Sequence, residues 1–133
     1  MKTLKPTDLI NAVLEYQHKD LTPTRKIILA AIAGTYNPRT GQCNPGWRVI
    51  AKRLGVDRTS IHRAIHTAND LDMLSWVKLS YLGEGPQNSY CWQGLCPDAK
   101  PAWLGNPEEY KVRGWSKDRP DIAMLEMNGN SVN

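Results

Sequence analysis

Arg58, Thr59, Ser60, His62, Arg63 and His66 are the side chains in this 133-residue chain best suited to recognition chemistry. They crowd into one short segment, and they are left pointing outward if Ile61 and Ile65 between them turn inward. Arg58 and Arg63 carry guanidinium forks that can bond guanine O6 and N7 together. Thr59 and Ser60 have hydroxyls short enough to reach a phosphate or a base edge, and His62 adds a ring nitrogen. A basic, hydrogen-bonding helix face of this kind suits the major groove of DNA. The same residues also describe an ordinary solvated helix face. His62 and His66 lie one helical turn apart, but no nearby carboxylate or thiol completes a metal site, so no metal is expected.

The elements that must hold these residues span Trp47 to His66. The pattern predicts two short amphipathic helices, over about 46–54 and 57–69, joined by a tight turn. Ile50, Leu54, Val56, Ile61 and Ile65 supply the buried face, and Ala51 is small where the helices approach. Gly55 falls where the turn needs positive φ, which glycine adopts without a Cβ clash. Asp57 is placed to cap the second helix by accepting from its free amides. Arg48, Lys52 and Arg53 on the supporting helix, Arg25 and Lys26 at the start of an earlier one, and His66 and Lys78 are candidates for phosphate contact. Such contacts position a protein without reading sequence. Two-helix hairpins with a glycine turn also occur in all-α proteins that never touch nucleic acid.

Charge is segregated along the chain. The net charge is +4, yet residues 21–80 hold nine Lys/Arg against three acids, a local charge of +6. Residues 81–133 hold five basic and seven acidic residues, and residues 1–20 balance. The positive segment therefore coincides with the two-helix motif, as phosphate recognition requires. The length suits one domain. Phenylalanine is absent, so five tryptophans and five tyrosines carry the aromatic packing. No apolar run approaches a membrane span, and Met1–Asp20 lacks the apolar core of a secretion signal. With three cysteines, the expectation is a cytoplasmic protein of the bacterial cell, with the nucleoid, holding free thiols. Cys43, Cys91 and Cys96 have poor ligand spacing. Trp92, Trp103 and Trp115 could stack on bases but fit core packing better. No phosphate-binding glycine loop, nucleophile elbow or acid pair is present, so neither catalysis nor a cofactor is expected.

Helical spacing predicts a first helix opened by Pro6, with Leu9, Ile10, Val13, Leu14 and Gln17 as its stripe. A second helix is expected from Pro23 to Ala33, capped by Thr22 or Thr24, with Ile27, Ile28, Ala31 and Ile32 inside and Gly34 ending it. Tyr36–Gly46 is a turn-rich loop. After the motif helices, Leu74–Tyr81 and Asn88–Trp92 read as strands around a turn at 83–87. The fold class is mainly α with a small β-hairpin: a winged helix-turn-helix of three to four helices plus a wing, over residues 1–92. Residues 93–133 form a Pro/Gly-rich extension that packs in part, with a short helix near 121–127 and a disordered end.

Leu21-Thr-Pro-Thr-Arg-Lys-Ile-Ile-Leu-Ala-Ala-Ile-Ala, the loop Thr40-Gly-Gln-Cys-Asn-Pro45, the two-helix motif and Asn88-Ser-Tyr90 together resemble the helix-turn-helix domain of phage and plasmid replication proteins, of the replication protein O type. The resemblance covers residues 21–92. It implies a winged helix that binds duplex DNA at a replication origin or an operator, with Arg58–Asn69 as recognition helix and 83–88 as wing. Two departures stand out: Asp72 or Met73 occupies a position where that family commonly has glycine, and the wing carries Glu84 with little positive charge.

The expectation is therefore sequence-specific double-stranded DNA binding, at origin repeats, by an initiator of a phage, plasmid or mobile element. A helicase or helicase loader would be its partner, reached through another domain or the extension. A homodimer through the first helix would pair half-sites, though no heptad marks it. The alternatives are a transcriptional regulator on an operator and a winged helix used for protein contact. The polar end also leaves open that these residues are the N-terminal part of a longer protein.

Overall fold

Proline opens two of the helices. In the computed structural model, which describes residues 3–78 and 88–103, α1 runs Pro6–Glu15 and α2 runs Pro23–Ala33, each with proline in its first turn. A missing N–H costs nothing there, because first-turn amides have no helical partner. The Asp8 carboxylate accepts from the Lys5 N–H at 2.8 Å, and the Thr22 hydroxyl caps α2 by accepting from the Arg25 N–H at 3.3 Å. α3 (Trp47–Leu54) and α4 (Arg58–Asp70) follow. Gly55 between them takes φ 69°, and the Val56 N–H returns to the Ala51 carbonyl at 3.2 Å, the bond a left-handed residue makes available at a helix end. Asp57 starts α4 by accepting from the Ser60 N–H at 2.8 Å. Hydrogen bonds from Ser60 hold this carboxyl below its ordinary pKa.

Two strands complete the described elements. β1 (Ser75–Lys78) and β2 (Asn88–Cys91) pair antiparallel, with Trp76 opposite Tyr90 and Val77 opposite Ser89. Four helices followed by a hairpin make a winged helix-turn-helix. β1 begins one residue later than the sequence pattern predicts, and β2 ends one residue earlier. Residues 79–81 of the first expected strand, the turn at 83–87 and the helix near 121–127 lie outside the described residues.

α2 sits at the centre, packed by α1, α3 and α4. Leu9, Val13, Ile28, Leu29, Ile32, Ile50, Ile61, Ile65, Met73, Trp76 and Trp92 fill the core. The stripe of α2 differs from the expected one. Ile27 is 54% exposed and Ala31 half-buried, whereas Leu29 and Ala33 are buried alongside Ile28 and Ile32. Spacing within α2 fixes the period of its apolar face, but the neighbours on its flanks choose which residues it turns inward. Likewise Leu14 is 45% exposed, and Gln17 lies beyond the end of α1.

The loop before α3 is anchored by Cys43, which is fully buried. Its thiol donates to the Ile32 carbonyl at 3.3 Å and accepts from the Trp92 indole N–H at 3.4 Å, with the Thr35 hydroxyl 3.4 Å away. Burial pushes the Cys43 thiol pKa up. All three cysteines are free; Cys91 is buried and Cys96 half-buried.

α4 ends in a left-handed residue that is not glycine. Asp72 adopts φ 58°, and the Met73 N–H reaches the Ala68 carbonyl while the Asp72 N–H reaches that of Asn69. This bond pair closes a helix and turns the chain into β1. Residues 93–103 then fold back. The Leu95 N–H donates to the Met73 carbonyl, the Lys100 N–H to the Tyr36 hydroxyl at 3.0 Å, and the Trp103 N–H to the buried Ser89 hydroxyl at 2.9 Å. No described helix is long and apolar enough to cross a membrane.

Candidate nucleic-acid interface

α4 has two unlike faces. Ile61, Ala64, Ile65 and Ala68 are buried against the core. On the opposite side Arg58, Thr59, His62, Arg63 and His66 are exposed and together line one shallow concavity of about 430 Å³. Five of the six outward residues expected from sequence are thus brought together. Ser60, the sixth, is half-buried and is engaged with the Asp57 cap. Thirteen residues make a helix about 20 Å long, narrow enough to enter a major groove about 12 Å wide.

A chain of ring contacts crosses this face. The Trp47 ring, half-buried at the start of α3, has the Arg48 guanidinium 5.4 Å and the Arg58 guanidinium 5.2 Å from its centroid. The Arg58 Nε–H donates to His62 Nε2 at 3.2 Å. The His62 and His66 rings lie 6.4 Å apart and nearly parallel, and His66 meets the edge of Trp76 at 5.6 Å. Trp76 in turn packs on Tyr90 of β2. Burial lowers the His62 pKa below the ordinary 6.5, and the charges of Arg58 and His66 lower it further. A neutral His62 is what the Arg58 bond needs, because only an unprotonated ring nitrogen can accept.

The remaining basic candidates fall elsewhere. Arg48 is exposed and stacked on Trp47. Lys52 and Arg53 are exposed in the last turn of α3, where they also complement the helix dipole. Arg25 and Lys26 are bonded at the α1–α2 junction: Arg25 Nη1 donates to the Asp20 carbonyl at 2.7 Å, and Lys26 Nζ to the Leu14 carbonyl at 3.1 Å. Neither lines the α4 concavity. Lys78 pairs with Asn88 in the hairpin. Among the described residues no group of three or more His, Cys, Asp or Glu could hold a metal ion. Trp92 is fully buried and closed to base stacking.

Residues 19–74 match the family model of a helix-turn-helix domain. No curated protein and no solved structure matches the chain. The match takes in α2, α3 and α4 and stops where β1 begins. A helix-turn-helix domain supports binding to double-stranded DNA.

Sequence reasoning missed Trp47, which flanks this face and contacts Arg58. Its only local signal is adjacency to Arg48. The contact with Arg58 depends on the angle between α3 and α4, which no spacing within either helix encodes.

Proposed function

We propose that this helix-turn-helix domain recognises a specific duplex DNA sequence with α4 in the major groove, at the replication origin of a phage, plasmid or related element. The observation that carries the reading is the α4 face itself. Two arginines, a threonine and two histidines share one exposed concavity on a capped helix whose other face is core. Arg58, Thr59, His62 and Arg63 supply base contacts, with Ser60 at the rim. Arg48, Lys52, Arg53 and His66 supply phosphate contacts, with Arg25, Lys26 and Lys78 farther out. The origin assignment draws on the loop and strand that resemble replication proteins, Thr40–Pro45 and Asn88–Tyr90. These are held together by a bond from the Tyr90 N–H to the Cys43 carbonyl at 2.7 Å.

These 133 residues carry no phosphate-binding glycine loop. Such an initiator acts with a helicase or its loader, contacted through residues 93–133 or another domain, and pairs half-sites as a homodimer. The test is duplex selection from a randomised library, followed by footprinting on DNA of the source element. Iterated protected sites in an intergenic region support origin recognition. A single protected promoter site supports an operator-binding regulator instead. No salt-dependent binding to any duplex overturns both.

A further inference from the structure

Arg58 is held from two elements at once. The Trp47 ring of α3 lies against its guanidinium, and His62, one turn along α4, accepts from its Nε–H at 3.2 Å. An arginine on an exposed helix face ordinarily samples many rotamers, and binding must freeze one of them. Here the freezing contacts exist within the folded protein. They also select which atoms remain available. With Nε–H occupied by His62, the two terminal amino groups are left, and these form the fork that matches guanine O6 and N7.

We infer that Trp47 is a positioning residue for base recognition, clamping Arg58 in its reading orientation across the α3–α4 turn. Trp47 lies outside the face that meets DNA in the proposed function, and the inference rests on that function. The clamp couples the supporting helix to the reading helix: Arg48, a phosphate candidate, lies against the same ring at 5.4 Å. Trp47 therefore ties backbone register to base readout. A cation–π contact at an exposed site weights one arrangement by about two- to fivefold; Trp47 also packs against the core, so specificity is read as a ratio of affinities.

The experiment uses the full chain and a duplex that it selects from a randomised library, with an unrelated duplex as reference. The quantity read is the ratio of the two affinities, in which Arg48–phosphate effects cancel. Trp47→Leu lowers this ratio by about two- to fivefold, and Trp47→Phe, which keeps a ring, restores most of it. In an Arg58→Ala background the Trp47→Leu effect disappears. In the free protein, the Arg58 Nε–H resonance carries a ring-current shift that Trp47→Leu abolishes and Trp47→Phe retains. This readout stands even if a variant is too weak to bind. Equal ratios for the Leu and Phe variants, a Trp47→Leu effect that persists undiminished in the Arg58→Ala background, or an unshifted Arg58 Nε–H overturns the clamp alone. Failure of the wild-type chain to select any duplex overturns the DNA-binding function and the positioning role with it.

Discussion

The Tyr90 main-chain N–H donates to the carbonyl of Cys43 across 2.7 Å, joining β2 to the loop that precedes α3. Cys43 is thereby bound on both sides. Its backbone meets β2, and its thiol lies between the Ile32 carbonyl at the end of α2 and the Trp92 indole. One small residue fixes the hairpin against the helices.

Cys43→Ala removes the acceptor of a fully buried indole N–H and leaves it without a partner. An unsatisfied buried donor costs about 1–3 kcal/mol, and urea unfolding of the variant should show a loss in that range. Cys43→Ser keeps an acceptor and loses less.

The corner after α4 is tuned by two backbone positions. A Cβ on Gly94 would stand 1.8 Å from the Asp72 carbonyl oxygen, an atom of the backbone that cannot rotate away. Gly94→Ala is expected to destabilise by about 3 kcal/mol or more, since the backbone itself must shift. Thermal melts of the purified variant check this.

Asp72→Gly should act in the opposite direction. Asp72 holds φ 58°, and it places a negative charge at the carbonyl end of α4. Glycine removes both penalties, against a larger entropy in the unfolded chain. The expected net gain is about 0.5–1 kcal/mol in chemical denaturation. No gain would show that the left-handed conformation is unstrained for aspartate here.

His62 links stability to pH. Its folded pKa is held below the ordinary 6.5, mainly by burial and then by the charges of Arg58 and His66. Between the folded value and 6.5 the unfolded chain binds more protons, so stability rises with pH through that window and is lost on acidification. Protonation also abolishes the bond from Arg58. The melting temperature should fall as pH drops from 7 toward 5, and His62→Asn should flatten that fall.

Lys52 and Arg53 test phosphate contact separately from base reading. Lys52→Ala and Arg53→Ala should weaken selected and unrelated duplexes alike, each reducing the slope of log affinity against log salt by about 1. Arg63→Ala should instead discriminate, costing about 1–3 kcal/mol on the selected duplex and much less on the unrelated one.

Local chemistry was enough to place the helices. Pro6, Pro23, Thr22, Gly55 and Asp57 act on their own neighbours within one turn, so α1, α2, the α3–α4 turn and the outward set on α4 could be read from sequence. Order and periodicity likewise pointed to three to four helices and a hairpin. What could not be read were facts about pairs of elements. Ile27 faces out and Leu29 in because α2 is packed from several sides. Asp72 occupies a left-handed site, with its carbonyl lying close against Gly94 of a later segment. Trp47 reaches Arg58 only because α3 and α4 cross at the angle the core imposes. The sequence by itself determined where the chain is helical and which cations line the outer face of α4, since propensity, capping and period are local. Tertiary structure decided which of those side chains are clamped, bonded away or left open, because that depends on which elements the core brings side by side.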